Sequence, residues 1–375
     1  MSTPPAGLDY NTFRTWRKNN NIKGTPKQIS AAWQVYSASG VSKTKKSTPR
    51  KSVSPPKKIT PPKKTSTGKR GRPKKTIPPK KAASPPKKAA SPPKSRKKSP
   101  NKSPTKTTIK ISSGSNSIAG RRFRNEDTFI EFPNIMKDIS LFAVFDGHGG
   151  SDTAEYLQKH FGEILITFFN TYPIPVADLI ANPKEHSEDI EDELRDVFKA
   201  MDEVILKKNF NSGSTAVIAL VIKNIVYLAW IGDSRGIVVR NGKVVLSTED
   251  HKPNLPREEA RIKAAGGHIF SLPTFMGTEI WRVAGALGLA TSRSFGDAPD
   301  KELIISTPDI VSTELQPGDT IVLACDGIWD VLSNERVAAI VTDNPLHLKD
   351  VASNINKMAY DADSQDNLTA LVIKV

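Results

Sequence analysis

The chain has almost no cysteine and few histidines. Its 375 residues include one cysteine, Cys325, so no disulfide can form within the chain, which is typical of proteins in a reducing compartment. The six histidines are scattered, and no two of them are spaced as His-x-x-x-His. A zinc site is therefore not expected.

Long apolar runs are also missing. The N-terminus lacks the apolar core of a signal peptide, and the longest apolar stretch, 216–231, is interrupted by Lys223 and Asn224. An interrupted run of this kind predicts two adjacent strands rather than a membrane span. The sequence contains neither Gly-x-Gly-x-x-Gly nor a P-loop, which argues against most nucleotide-binding α/β folds. We therefore expect a soluble, intracellular chain without a membrane segment.

Negative charge is nearly absent from the first 111 residues. They carry 30 of the 55 Lys and Arg residues but one of the 39 acids, Asp9, for a net charge of +29. The other 264 residues carry 25 bases and 38 acids, for a net charge of −13. We divide the chain into segments 1–42, 43–111 and 112–375. The last is long enough to bury a sizeable core as one domain.

Residues 43–111, the basic arm, consist mostly of Lys, Pro, Ser and Thr. This composition is too poor in apolar side chains to form a core, so we expect the arm to be disordered. Pro-Pro-Lys-Lys starts at positions 55, 61, 78 and 85, and this irregular spacing excludes a solenoid. Ser-Pro and Thr-Pro pairs recur along the arm, which resembles linker-histone tails. Phosphorylation at these pairs would cancel positive charge and weaken binding to DNA.

The centre of the arm, 69–75, resembles an AT-hook. In that element the core Arg70-Gly71-Arg72-Pro73 would lie in the minor groove of A·T-rich DNA, because the narrow groove has an enhanced negative potential that attracts arginine. The alternative interpretation is a nuclear localisation signal or a nonspecific polyanion-binding run. We expect residues 1–111 to bind DNA or chromatin, and the protein to be nuclear or otherwise DNA-associated.

The first 42 residues differ in composition from the arm. They contain four large aromatic residues, Phe13, Trp16, Trp33 and Tyr36, around a predicted helix. This segment resembles part of an HMG-type box, a DNA-binding element. A small helical hairpin that binds another protein is the equal alternative.

Residues 112–375 contain both strand-like and helix-like patterns. Several strand-like runs follow one another through short turns, and Asn241-Gly242 is typical of a β-hairpin turn. Consecutive hairpins indicate mainly antiparallel sheets with separate helical layers, which is an α+β fold, and argue against a parallel βαβ fold. The strand-like runs are 128–132, 139–145, 214–222, 225–231, 236–240, 244–248, 309–313, 320–325 and 368–375, and the helix-like runs are 151–169, 187–208, 256–265, 334–341 and 346–359.

Acidic residues occur where several of these strands begin or end. Asp146 is the most informative, since it ends a buried run, glycines follow it that allow close backbone approach, and His148 can donate a proton near neutral pH. Carboxylates from separate strand ends can converge on one sheet edge. A ligand set made of oxygen atoms favours Mg²⁺ or Mn²⁺ over Zn²⁺.

Eight short segments of polar residues and glycine follow one another between 122 and 367. They are Arg-x-x-x-Glu-Asp at 122–127, Asp-Gly-His-Gly-Gly at 146–150, Gly-Ser-Thr-Ala at 213–216, Gly-Asp-Ser-Arg at 232–235, Asp-His-Lys-Pro at 250–253, Ser-Arg-Ser-Phe-Gly-Asp at 292–297, Asp-Gly-Ile-Trp-Asp at 326–330 and Asp-Asn at 366–367. Taken in this order, they resemble the motifs of the protein phosphatase 2C family of metal-dependent Ser/Thr phosphatases. The resemblance covers 112–375 and does not include the arm. It implies a four-layer αββα sandwich of two mainly antiparallel sheets flanked by helices.

The resemblance implies a site for two Mn²⁺ or Mg²⁺ ions. Asp146 would bridge the ions, and the carbonyl of Gly147 would bind the first. Asp326 and Asp366 would complete the ligands of the second. The remaining acids of the implied site are Glu126 and Asp127, which would act through water, and Asp233 and Asp330, which with Asp326 match a third, weaker metal position.

The resemblance also implies a catalytic role for two further residues. Arg122 would bind the substrate phosphate through its planar guanidinium, and His148 would act as the general acid for the leaving oxygen. The reaction would be hydrolysis of phosphoserine and phosphothreonine by in-line attack of a metal-bound water. Phosphorylated proteins are then the expected substrates, and we expect a monomer.

Other classes of function fit the sequence less well. A cysteine phosphatase needs Cys-x5-Arg, but Val331 is the sixth residue after Cys325, and the Gly-Asn-His-Glu motif of calcineurin-like enzymes is absent. The serious alternative is a DNA-binding or packaging protein with a vestigial phosphatase domain, which the complete set of acids disfavours. Residues 268–290 correspond to the flap beside the active site and depart from the family pattern in length, so substrate preference is the property this departure affects.

Overall fold

The computed structural model describes residues 109–172, 174–273, 279–342 and 347–375, and these all belong to one compact unit. The predictions for segment 1–42, for most of the basic arm and for the AT-hook-like residues 70–73 lie outside the described residues.

Within the described residues the strands are β1 (Ser112–Ile118), β2 (Thr128–Met136), β3 (Ile139–Phe145), β4 (Gly147–His148), β5 (Gly213–Ser214), β6 (Ala216–Ile222), β7 (Ile225–Ile231), β8 (Arg235–Arg240), β9 (Lys243–Ser247), β10 (Ile269–Pro273), β11 (Glu279–Val283), β12 (Phe295–Gly296), β13 (Asp309–Glu314), β14 (Thr320–Ala324) and β15 (Leu368–Lys374). The α-helices are α1 (Asp152–Thr171), α2 (Val176–Ala181), α3 (Ser187–Lys208), α4 (Pro256–Ala264), α5 (Asp326–Trp329), α6 (Asn334–Thr342) and α7 (Leu348–Asp361).

Two five-stranded sheets form the centre of the fold. The N-terminal sheet has the order β13-β7-β6-β3-β2, and the C-terminal sheet has the order β1-β15-β14-β8-β9. A small sheet, β12-β5-β4, and the hairpin β10-β11 complete the described strands. All pairings between neighbouring strands of the two large sheets are antiparallel, as the run of hairpin signals predicts.

The central strands are apolar on both faces, so each large sheet must be covered by another layer on either side. Every residue of β6 is buried, and successive side chains point to opposite sides of the sheet. Ile218 and Leu220 pack in the cluster that includes α1 and α3, whereas Val217 and Ala219 pack in the cluster that includes the C-terminal sheet, α6 and α7. This confirms the α+β fold and the αββα order of layers.

The predicted helix-like and strand-like runs are all present, except that the predicted strand 214–222 is divided at Thr215 into β5 and β6. The elements that the sequence missed are β1, β4, α2, β10, β11, β12 and α5. β1 has the sequence Ser-Ser-Gly-Ser-Asn-Ser-Ile, which has no strand pattern, and it is extended because it pairs along its whole length with β15. The two-residue strands of the small sheet and the four-residue helix α5 are too short to show a period. None of the described helices combines the length and apolar character needed to cross a bilayer.

Candidate metal and phosphate site

The strand register places the predicted acids along one edge of each large sheet. In the N-terminal sheet, the end of β3 pairs with the start of β2, and the end of β7 pairs with the start of β6. In the C-terminal sheet, the end of β14 pairs with the start of β8 and lies beside the start of β15. The acids that flank these strand ends are Asp127, Asp146, Asp233, Asp326 and Asp366.

Asp127 lies at the buried centre of this group. Its carboxylate, that of Asp146 and the Sγ atom of Cys325 offer ligand atoms that are all within 4.8 Å of one another. Thr369 Oγ1 donates to Asp127 Oδ2 at 2.6 Å, whereas the buried Oδ1 has no hydrogen-bond partner among the described residues. Burial, together with the nearby charge of Asp366, raises the pKa of Asp127 to about 6. A buried carboxylate oxygen without a donor is an arrangement that a cation-bound water would complete.

Asp146 and Asp326 are surrounded by other carboxylates. Burial raises the pKa of Asp146 well above its usual value, and the charges of the neighbouring acids, Asp326 first, raise it further. Burial and the charge of Asp233 act in the same direction on the pKa of Asp326. Carboxylates that repel one another in this way are stabilised by a bound divalent cation, and their hard oxygen atoms suit Mn²⁺ or Mg²⁺. The residues present therefore fit the predicted pair of ions.

Cys325 lies beside this oxygen set. Burial, and then the charges of Asp127 and Asp146, raise the pKa of the Cys325 thiol well above its usual value in the metal-free protein. The Sγ atom accepts from the backbone N–H of Thr369 at 3.2 Å and donates to the carbonyl of Asn367 at 3.4 Å. These contacts give the protonated thiol a structural role at the ends of β14 and β15.

The predicted third metal position already contains a cationic side chain. Lys252 Nζ donates to Asp233 Oδ2 at 2.6 Å and lies 3.9 Å from Asp330 Oδ1. Although burial acts to lower it, the pKa of Lys252 is strongly raised by Asp233 and Asp330, so the side chain is charged. Asp-His-Lys-Pro matched a family motif in the sequence, but the role of its lysine was missed, because a sequence match does not show where the side chain points.

The turn that carries Lys252 is fixed to the segment that carries Asp233. The backbone N–H of Gly232 donates to His251 Nδ1 at 3.1 Å, and the backbone N–H of His251 donates to the Gly232 carbonyl at 2.9 Å. Arg235 binds both oxygens of Asp250 at 2.8 Å. These contacts hold Lys252 next to Asp233.

Arg122 lies in the loop between β1 and β2, against the acid group. Its Nη2 donates to Asp366 Oδ2 at 2.6 Å, and its Nε donates to the carbonyl of Gln365 at 3.2 Å. The side chain is 58% exposed, so it is accessible to a ligand from solvent. The neighbouring Arg121 is bound instead to the carbonyl of Ser364 and packs over the ring of Tyr360.

Glu126 and Gly147 pack closely at the other side of the group. The backbone N–H of Glu126 donates to Asn367 Oδ1 at 2.9 Å, and Glu126 Oε2 accepts from the backbone N–H of Gly150 at 3.2 Å. A Cβ atom at position 147 would lie within 3.0 Å of the Glu126 carbonyl oxygen, which no side chain allows. Glycine is therefore required where the predicted carbonyl ligand sits.

His148 is paired with an acid to which the sequence assigned no role. Its Nε2 lies 2.8 Å from Asp297 Oδ2, and the Asp297 side chain is 3% exposed. Ser294 Oγ donates to the same carboxylate. The small sheet brings the two together, because β5 pairs with both β4 and β12, and a Cβ atom at Gly213 would lie within 3.0 Å of both His148 and Asp297. Asp297 is the last residue of the matched motif at 292–297, and this motif is the sequence signal from which a role for Asp297 could be predicted.

The structure thus brings all the predicted residues of the domain to one site. The predicted acids, Gly147, Arg122 and His148 lie at the same edge of the two sheets, while Lys252 and Asp297 are the additions. The roles that the resemblance implies for these residues stay predictions at this point.

Comparisons with known proteins agree with this arrangement. Residues 111–368 match the family described as protein phosphatase 2C. Probable protein phosphatase 2C 11 of Arabidopsis thaliana is 36% identical over 276 residues, which cover 71% of this chain and 67% of that protein. Across eight curated relatives, the match spans 50% to 70% of the relative's own length.

Solved structures that are similar in fold include the following two. A C. elegans sex determining protein is 29% identical with a TM-score of 0.59, and the match covers 70% of this chain and 64% of that one. A serine-threonine phosphatase 2C from Toxoplasma gondii is 23% identical with a TM-score of 0.60, and the match covers 71% of this chain and 95% of that one. Since the matched region contains the whole acid group described above, this chain belongs to the protein phosphatase 2C family.

Proposed function

We propose that this chain is a metal-dependent protein serine/threonine phosphatase. The observation that carries the proposal is a group of mutually repelling carboxylates beside an exposed arginine, in which the buried Oδ1 of Asp127 has no hydrogen-bond partner among the described residues. A group of this kind has a high cost in a fold unless cations neutralise it. The group lies where the strand ends of the two large sheets meet, next to the exposed side chain of Arg122. This position suits the binding of a phosphate ester.

The ligands of the two ions are proposed from this group. Asp146 and the carbonyl of Gly147 would hold the first ion, and Asp146 with Asp326 and Asp366 would hold the second. Glu126 and Asp127 would act through water. When bound, Mn²⁺ or Mg²⁺ neutralises the charge of the phosphate and activates a water for in-line attack.

The chain's own residues bind the substrate and move the proton. Arg122, which is exposed and hydrogen-bonded to Asp366, would bind two phosphate oxygens through its planar guanidinium. His148 would donate a proton to the serine or threonine oxygen as it leaves. Its Nε2 is bound by Asp297, so the ring is held in one orientation and Nδ1 is the nitrogen left to face the substrate.

The test is hydrolysis of a phosphothreonine peptide by the full chain in the presence of Mn²⁺ or Mg²⁺. Asp146→Ala should abolish turnover, and the control Asp350→Ala, an exposed acid in the first turn of α7, should not change it. Wild-type protein that gives no turnover at any concentration of either ion would overturn the proposal and favour the vestigial-domain alternative.

We further propose that residues 1–111 direct this phosphatase to DNA or chromatin in the nucleus. The support is the net charge of +29 on that segment, against −13 on the rest, and the AT-hook-like core 70–73. Binding should weaken steeply as salt rises, because neutralised phosphates release counterions. Arg70→Ala with Arg72→Ala in the full chain should remove any preference for A·T-rich DNA, and deletion of 1–111 should remove binding. Undiminished DNA affinity after the deletion would contradict the proposal.

A further inference from the structure

Phe123 is the most exposed large apolar side chain in the described part of the chain. It is 107% exposed, and the next such residue, Leu272, is 47% exposed. Single exposed apolar residues are common on protein surfaces. A ring that is as exposed as in an extended peptide, however, makes no contribution to the core, so its presence needs a different reason when it lies beside a functional site.

The backbone that presents Phe123 is held on both sides. The backbone N–H of Arg122 donates to the Ala119 carbonyl at 3.0 Å, which closes a turn before Phe123. The side-chain amide of Asn367 donates to the carbonyls of Ala119 and Arg124, at 2.9 and 2.8 Å. The ring is therefore carried by a fixed loop, and little backbone order would be lost if a ligand bound to it.

The position of this loop relates the ring to the proposed phosphate ligand. Phe123 directly follows Arg122, whose guanidinium contacts Asp366 of the acid group. The two side chains leave neighbouring Cα atoms, which are about 3.8 Å apart. A substrate whose phosphate is bound by Arg122 would therefore place the residues that flank its phosphoresidue near the loop that carries the ring.

Charge limits the kind of side chain that the ring can accept. Arg122 and Arg124 are both exposed and lie on either side of Phe123. The positive charge of Arg124 would repel a lysine or arginine of the substrate that approached the ring, whereas that of Arg122 is paired with Asp366. An apolar side chain gains from burial against an exposed ring and meets no such repulsion.

We propose that Phe123 is a specificity-determining residue that packs against an apolar side chain close to the phosphoserine or phosphothreonine of the substrate. The inference rests on the proposed phosphatase function and extends it to a class of sequence. Phe123 itself takes no part in the chemistry, so its effect is on peptides and not on a substrate that lacks flanking residues.

The test compares three phosphothreonine peptides that differ at one flanking position, with Leu, Ser or Lys, and p-nitrophenyl phosphate. Wild type should prefer the Leu peptide, and Phe123→Ala should lower kcat/KM for it about tenfold, as expected for lost burial of one side chain. Values for the Ser peptide and p-nitrophenyl phosphate should stay within about twofold, and Phe123→Trp should keep the preference. Since the ring is exposed, Phe123→Ala should unfold at the wild-type temperature. Phe132→Ala, which removes a 43% exposed ring from β2, is the control and should keep the preference.

The outcomes separate this inference from the function on which it rests. Equal wild-type kcat/KM for the three peptides, or an equal loss on every substrate in Phe123→Ala, would overturn the inference and leave the phosphatase function standing. Absence of wild-type turnover on all substrates would overturn the function, and the inference with it.

Discussion

Asp127→Asn should stabilise the metal-free protein at neutral pH. The pKa of Asp127 is raised from 3.8 to about 6, mainly by burial. One pKa unit corresponds to about 1.4 kcal/mol, so the ionised carboxylate lowers the free energy of unfolding by about 3 kcal/mol at pH 7. Asparagine has no charge to bury and can still accept the hydrogen bond from Thr369. The folded-state pKa is raised, so the penalty is present above pH 6 and disappears as the pH falls towards 3.8.

Glu258→Gln provides a matched change of opposite sign in the same domain. Burial alone would raise the pKa of Glu258, but hydrogen bonds and charge from Arg293 and Arg261 lower it from 4.5 to about 2. The ionised side chain is 1% exposed and therefore stabilises the fold, by about 3 kcal/mol at pH 7. This contribution is present above pH 4.5 and is lost as the pH falls towards 2. The amide should therefore destabilise the protein at neutral pH.

The assay is urea unfolding of wild type and both variants with a chelator, at pH 7 and pH 5. Asp127→Asn should gain about 3 kcal/mol at pH 7 and roughly half as much at pH 5, whereas Glu258→Gln should lose about 3 kcal/mol at both. Excess Mn²⁺ should remove the advantage of Asp127→Asn, because bound cations stabilise the ionised wild-type group. A loss of stability in metal-free Asp127→Asn at pH 7 would refute the argument that the acid group is assembled at a cost to the fold.

Three further changes test the neighbours of this group. Asp297→Asn should lower kcat/KM about 10- to 100-fold for a phosphothreonine peptide but less for p-nitrophenyl phosphate, whose leaving group needs little protonation; an equal loss on both would contradict a role through His148. Lys252→Met should increase the affinity of the Asp233 position for an additional Mn²⁺ ion, measured by calorimetry, and an unchanged titration would show that the lysine does not compete. Gly213→Ala should lower the free energy of unfolding by about 1–3 kcal/mol, measured in urea, because its Cβ has no room; wild-type stability would contradict this packing.

The sequence predicts the ends of strands better than the directions of side chains. Asp146 and Asp326 can be predicted because each follows an unbroken run of buried residues whose end is visible in the sequence. Lys252 and Asp297 also lie in matched motifs. Their contacts, however, depend on the orientation of the turn that carries Lys252 and of the two-residue strand β12 before Asp297, and the sequence shows neither orientation. β1 was missed for the related reason that its partner β15, not its own composition, makes it extended.

The contacts that complete the site join residues that are far apart in the chain. Arg122 and Asp366 are separated by 244 positions, and the bond between Thr369 and Asp127 spans 242. Closing so long a loop costs entropy, and we therefore expect these contacts to form late in folding. Refolding protein should regain its helices and β6–β7 hairpin before it regains the acid group. The site can therefore act only when the whole domain is folded. Fragments that keep most of its secondary structure should have no phosphatase activity.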